Sequence, residues 1–150
     1  MLQVERTDRG HRLTGVIDEH ADLSVLPNEA LDLDLGGVER INSMGIVAWQ
    51  RWRRARSAPV TLRNVPVSFV LALSCVAGLA EGMRVSSVRA PFVDPASGRT
   101  EEIVLDASAL RTIRTTGDCP PRAALRLDDD PKQYFAFLTV PKGPALEGDA

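Results

Sequence analysis

Alternating hydrophobic and polar positions predict a series of strands in the first ninety residues. The clearest example has a period of two over 31–35, where Leu31, Leu33 and Leu35 alternate with Asp32 and Asp34. The segments 2–7 and 12–17 flank a turn that contains a glycine and predict a β-hairpin. Two further strands are predicted over 60–63 and 83–89.

Helices are predicted between these strands. Asn42 and Ser43 open a helix that runs to about residue 56, with an apolar stripe whose spacing suits a buried face. The stripe consists of Gly45, Ala48, Trp49, Trp52 and Ala55. A second helix is predicted over 67–77, and a short helical or irregular stretch over 18–26 ends at a proline. Strands that alternate with helices indicate an α/β fold, with helices packed on a sheet of four to five strands.

The pattern changes after Pro91, which predicts a separate unit. Two strands, over 99–105 and 123–127, are joined by a loop, and Asp130 with Pro131 predicts the start of a short helix. We therefore divide the chain into a domain over 1–90, a small β-rich extension over 91–140 and a flexible tail over 141–150. Four of the seven aromatic residues lie in this extension, which predicts that it packs against something.

Composition and charge narrow the class of protein. The hydrophobic fraction of 44% and the charged fraction of 25% are typical of globular domains. No apolar run is long enough to span a bilayer and no leader is apparent, so we expect a cytoplasmic protein. Two cysteines, Cys75 and Cys119, are too few for a disulfide framework and agree with a reducing compartment. We expect Cys75, on an apolar helix, to be buried and inert.

The arginines concentrate in one stretch, although the net charge is −2. The segment 40–80 contains six arginines and no acidic residue, whereas ten acidic and seven basic residues follow from residue 91. Arg53 and Arg54 fall opposite the tryptophans, so we predict that they face a partner. No aromatic residue lies among them and the overall balance is acidic, which favours an acidic protein partner or a solvated face over nucleic acid.

No catalytic constellation is apparent in the sequence. His11 and His20 have no nucleophile or second ligand nearby in sequence, and Gly36-Gly37 lacks the Lys-Ser/Thr of a phosphate loop. We therefore predict a protein that is not an enzyme and has no cofactor or metal.

The segment 31–45 resembles the signature of STAS domains, found in bacterial anti-sigma-factor antagonists and in cytoplasmic domains of sulfate transporters. That signature is a strand ending in Asp-Leu, a linker, and Asp-Ser-Ser-Gly at the start of a helix; here Asn42-Ser43-Met44-Gly45 stands in its place. Gly15-Val16-Ile17-Asp18 is similar to a second family element. The resemblance covers about residues 2–90 and implies a STAS-like sheet.

The same resemblance implies a signalling module that regulates transcription by binding a protein partner. In the family, a partner serine kinase phosphorylates the first serine of the motif, which ends the complex; the equivalent residue here is Ser43. Asn42 replaces an aspartate of the motif and Met44 replaces its second serine. The resemblance also gives a set of partner-binding candidates around Ser43. They are Asp18, Glu19, Asn42, Met44 and Gly45.

Three hypotheses about the function stay open at this point. The first is the phosphorylation switch just described. Its alternative is that Ser43 only belongs to the cap of a helix. The second is an unphosphorylated scaffold of the same fold, which assembles with itself or with a larger complex through the aromatic extension. The third is a small-ligand site formed by the loops around Asp18 and Ser43.

The extension is similar to a degenerate zinc ribbon. In such a ribbon two Cys-x-x-Cys knuckles hold the metal, and here the knuckle positions are Asp94, Ser97, Cys119 and Arg122. One thiol of four is far short of a structural zinc site, so we predict that the extension holds no metal.

Overall fold

The chain forms nine strands and four α-helices within residues 1–140 and 143–149, the residues that the computed structural model describes. The strands are β1 Gln3–Thr7, β2 Gly10–Ile17, β3 Leu31–Ile41, β4 Val60–Arg63, β5 Arg84–Val85, β6 Ser87–Val93, β7 Thr100–Asp106, β8 Arg126–Leu127 and β9 Ala145–Leu146. The helices are α1 Ser43–Arg54, α2 Val67–Cys75, α3 Ala107–Thr116 and α4 Pro131–Tyr134. Two 3-10 turns, Leu23–Val25 and Ala136–Leu138, complete the elements. No helix in these ranges combines the length and apolarity that a membrane crossing requires.

The strands form two sheets. The main sheet has the order β1-β2-β3-β4-β5-β9, in which the β1–β2 hairpin is antiparallel and every other pair is parallel. The second sheet is antiparallel, with the order β7-β6-β8. The predicted α/β class is confirmed, and the main sheet has six strands where four to five were expected.

The aspartates of β3 lie on the polar face of the main sheet. Leu31, Leu33 and Leu35 are buried on the opposite face. Asp32 Oδ1 accepts a hydrogen bond from the side chain of Arg63 on β4 at 3.1 Å, and Asp34 Oδ2 lies 3.5 Å from the same guanidinium. A cation on the neighbouring strand therefore compensates two carboxylates in the middle of the sheet.

The expected boundary at residue 90 falls inside β6. The single strand predicted over 83–89 is two strands: β5 belongs to the main sheet and β6, with Pro91 near its middle, to the second. Pro91 pairs with Glu102 on β7, and its carbonyl accepts a hydrogen bond from the Asp128 amide at 2.8 Å. The nitrogen of Pro91 points the same way as that carbonyl, away from β7, so the missing amide hydrogen removes no hydrogen bond between β6 and β7.

One continuous core joins the parts that the sequence suggested were separate. Phe92, Tyr134 and Phe137 from the extension are almost fully buried together with Trp49 and Phe69. The aromatic residues of the extension thus contribute to the same core as the helices of the first ninety residues.

Two further segments differ from expectation. The loop expected between the strands of the extension contains α3, which is capped by Asp106 at its start and by Gly117, in the left-handed conformation, at its end. In the expected flexible tail, residues 145–146 form β9 and Leu146 is fully buried. Residues 141, 142 and 150 of that tail lie outside the described residues.

Candidate functional site

The start of α1 lies directly against the end of β2. The amide of Asn42 donates to the carbonyl of Ile17 at 3.1 Å, and the Asn42 side chain accepts from the Gly45 amide at 2.8 Å. A Cβ on Gly45 would lie 1.9 Å from the Ile17 carbonyl oxygen, so only glycine allows this approach. Asn42 is thus the N-cap, and the neighbouring Ser43 hydroxyl is not needed for that function.

Ser43 is exposed at the first position of α1, beside the loop that follows β2. Asp18 begins this loop and its carboxylate accepts a hydrogen bond from the His20 amide at 2.9 Å. A Cβ on Gly45 would be 3.1 Å from the Asp18 nitrogen, which places the loop and the helix start in contact. The structure therefore brings the two segments that the sequence singled out to one place.

The candidate residues of this site differ in their access to a partner. Asn42, Met44 and Glu19 are exposed and Asp18 is half-buried, whereas Gly45 is buried. Gly45 thus acts through packing and offers a partner no surface.

A stripe of exposed residues runs from the Ser43 end of α1 to its C-terminus. We call this set the α1 stripe; it comprises Met44, Val47, Arg51 and Arg54. The Met44 side chain is 53% exposed and Val47 is 42% exposed. Their spacing of three, four and three residues places them on one face of the helix. The stripe is apolar near Ser43 and basic at the other end.

A third exposed apolar residue lies on a turn that neighbours α1. Val25, 59% exposed, lies on the 3-10 turn Leu23–Val25, which contacts α1. Asp22 caps this turn, and the hydroxyl and amide of Ser24 hold the pKa of Asp22 below its usual range. The sequence did contain a signal for the α1 stripe, because Met44 and Val47 are apolar but lie outside the face of the helix that was predicted to be buried.

The two arginines that were predicted to face a partner have different surroundings. Arg54 is exposed and belongs to the α1 stripe. Arg53 is half-buried, and its guanidinium donates to the Glu81 carbonyl at 3.1 Å, which ties α1 to the loop before β5. Arg51, which sequence reasoning passed over, takes the exposed position instead.

The tryptophans of α1 face inwards, as their stripe predicts. Trp49 is fully buried and its indole nitrogen donates to the Leu79 carbonyl at 3.1 Å. Trp52 is half-buried with its ring 5.1 Å from that of Trp49, and the Arg56 guanidinium lies 4.9 Å from the Trp52 ring centre. These contacts leave the outer face of α1 to the stripe.

The thiols do not form a site with other ligands. Cys75 is exposed at the end of α2, so the expectation of a buried thiol is wrong; the helix ends there and its last turn reaches the surface. Cys119 is half-buried, which raises the pKa of its thiol. Asp94 and Ser97 form the β6–β7 turn, and α3 separates that turn from Cys119 along the chain. In the described part of the chain, no three His, Cys, Asp or Glu side chains are placed to hold a metal ion.

Comparison of the chain with protein-family models, with curated proteins and with solved structures finds no match.

Proposed function

We propose that this chain is a regulatory protein-interaction module that resembles an anti-sigma-factor antagonist and is switched by phosphorylation of Ser43. The observation that carries the proposal is the position of an exposed serine at the end of an exposed apolar and basic helix face. The partner would be an anti-sigma or serine-kinase-like protein that presents an apolar patch flanked by acidic residues. The proposal places the protein in the cytoplasm, where its two free cysteines stay reduced.

Phosphorylation of Ser43 would change this surface without unfolding the domain. A phosphate adds about −1.5 to −2 charges, and a helix N-terminus tolerates negative charge because its free amides point towards it. The apolar residues Met44 and Val47 would then border a dianion. A partner fitted to a neutral, apolar surface would lose its contact there, and Asp18 nearby would add to the repulsion.

The buried state of the extension's aromatic cluster favours this proposal over a scaffold that assembles through those residues. Tyr134, Phe135 and Phe137 are at most 3% exposed. They stabilise the core and offer a partner no surface, so the α1 stripe is the better candidate for recognition.

The proposal is tested by affinity purification from the source cells with tagged wild-type, Ser43→Ala and Ser43→Asp chains. We expect a specific protein that binds wild type and Ser43→Ala and is at least about tenfold depleted with Ser43→Asp. Mass spectrometry of the wild-type chain should find phosphate on Ser43. The double variant Met44→Glu/Val47→Glu should lose the same partner, whereas Val104→Glu, an exposed apolar residue on β7, is the matched control and should retain it.

Two results would contradict parts of the proposal. Equal recovery of the partner with Ser43→Asp and Ser43→Ala would exclude the switch. Equal recovery with the Met44/Val47 double variant would place binding on another surface.

A further inference from the structure

The segment over residues 145–149, which we call the strap, completes the main sheet at its β5 edge. The Ala145 amide donates to the Met83 carbonyl at 3.0 Å, and the Glu147 amide donates to the Val85 carbonyl at 2.9 Å. Leu146 between them is fully buried. The strap is thus bound as an added parallel strand with one apolar anchor.

Three arginines from two elements converge on this short segment. Arg84 of β5 donates to the Asp149 carbonyl at 3.2 Å, and Arg111 of α3 donates to the Glu147 carbonyl at 2.6 Å. Arg114 of α3 contacts both carboxylate oxygens of Asp149, at 3.2 and 3.4 Å. Arg84 and Arg111 therefore bind main-chain carbonyls of the strap, and Arg114 binds its one clamped carboxylate.

The carboxylate of Asp149 also shapes the bound segment. It accepts a hydrogen bond from the Leu146 amide at 3.0 Å, while the Asp149 amide donates to the Leu146 carbonyl at 3.1 Å. Gly148 at φ 86 allows this turn. The hydrogen bond with Arg114 holds the pKa of Asp149 below its usual range, so the group is ionised at neutral pH.

The strap has few side-chain contacts for a strand of the main sheet. Leu146 is its one buried side chain, and Ala145, Glu147 and Gly148 are exposed. Backbone pairing at a sheet edge, one apolar pocket and a charged clamp are the features with which proteins bind extended peptides of other chains.

We propose that the β5 edge, together with Arg111 and Arg114, is a peptide-binding site that the strap occupies in cis and that a partner's extended peptide can occupy instead. The chemistry of the strap defines that peptide: a large aliphatic residue followed three residues later by a carboxylate. This site lies on other elements than the α1 stripe, and its test does not depend on Ser43.

The experiment uses the full chain with the strap displaced by Leu146→Asp. A fluorescein-labelled, amidated peptide with the sequence of residues 143–149 is titrated against this variant and against wild type, and binding is followed by fluorescence polarisation. We expect binding to the variant at least about tenfold tighter than to wild type, because the site is vacant. A peptide with aspartate in place of the leucine, and the receptor Leu146→Asp/Arg114→Gln, are the matched controls and should each bind at least about tenfold more weakly.

Hydrogen exchange on the wild-type chain tests release of the strap independently. The amides of Ala145 and Glu147 should exchange at least about a hundredfold faster than those of Leu33 and Leu62 in the central strands.

Should Leu146→Asp fail to fold, Asp149→Lys, which reverses the charge facing Arg114, replaces it in the titration. No peptide binding to a folded variant, or strap amides that exchange as slowly as the central strands, would overturn the proposal.

Discussion

Single residues at the start of α1 determine how the candidate site is built. Gly45 allows the helix to approach the carbonyl of Ile17, and Asn42 supplies the cap, which leaves Ser43 exposed. The motif in the sequence correctly located this helix start. The helical spacing also placed Gly45 on the buried face of α1, but its close contact with the Ile17 carbonyl could not be predicted, because that depends on how closely β2 approaches.

The two tryptophans of α1 should differ in their effect on stability. Trp49→Ala removes a fully buried ring and leaves the Leu79 carbonyl without its donor, which should lower the free energy of unfolding by about 3–5 kcal/mol. Trp52→Ala removes a half-buried ring and its contact with Arg56, so the loss should be clearly smaller. Urea denaturation followed by circular dichroism measures both, and equal losses would show that Trp52 is as much a core residue as Trp49.

At the scale of elements, α3 is the main feature that was not predicted from the sequence. Its signals are present: Asp106 accepts a hydrogen bond from the Ala109 amide at 2.9 Å, and Gly117 ends the helix at φ 77. The buried residues Ala107, Leu110 and Ile113 have helical spacing. We expected this segment to be part of a loop, and its packing against β7 and β9 stabilises the helix instead.

Removal of the α3 cap should measurably destabilise the protein. Asp106→Ala leaves the Ala109 amide without its partner and should lower the free energy of unfolding by about 1 kcal/mol, the usual contribution of such a cap. Asp128→Ala removes an exposed carboxylate from a loop and is the matched control, with little expected effect. Chemical denaturation of both variants gives the values, and an Asp106→Ala chain as stable as the control would contradict the capping role.

At the scale of the whole molecule, β6 and β9 unite the two parts of the chain. β6 follows β5 after one residue but pairs with β7 and β8, and β9 returns to the edge of the main sheet. Leu146 and Phe137 are buried in the same core as Leu33. The segment over 1–90 therefore lacks neighbours that its own apolar surface needs.

A chain truncated after residue 90 should consequently not fold by itself. It ends inside β6 and lacks the contacts that the extension makes with it, among them the pairing of Val88 with Leu105 and the packing of α4 against α2. We expect the fragment over 1–90 to show no cooperative thermal transition by circular dichroism, whereas the full chain should unfold in a single one. A cooperative, native-like transition of the fragment would restore residue 90 as a domain boundary.

The sequence by itself determined the local elements with strong patterns: the β1–β2 hairpin, α1 with its cap, the first half of β3, β4, the start of α2 and the start of α4. In each of them a short-range signal, such as a period of two, a capping residue or a proline in the first turn, agrees with what packing requires. The continuation of β3 through Gly36 and Gly37 to Ile41 was not predicted. Tertiary structure alone decided which sheet each short strand joined, that Arg53 binds the Glu81 carbonyl, and that residues 145–146 pair with β5. A two-residue strand has too few side chains to show a period, and its partners lie far along the chain. Its place is therefore set by the unpaired edge and the buried pocket that it meets in the folded protein.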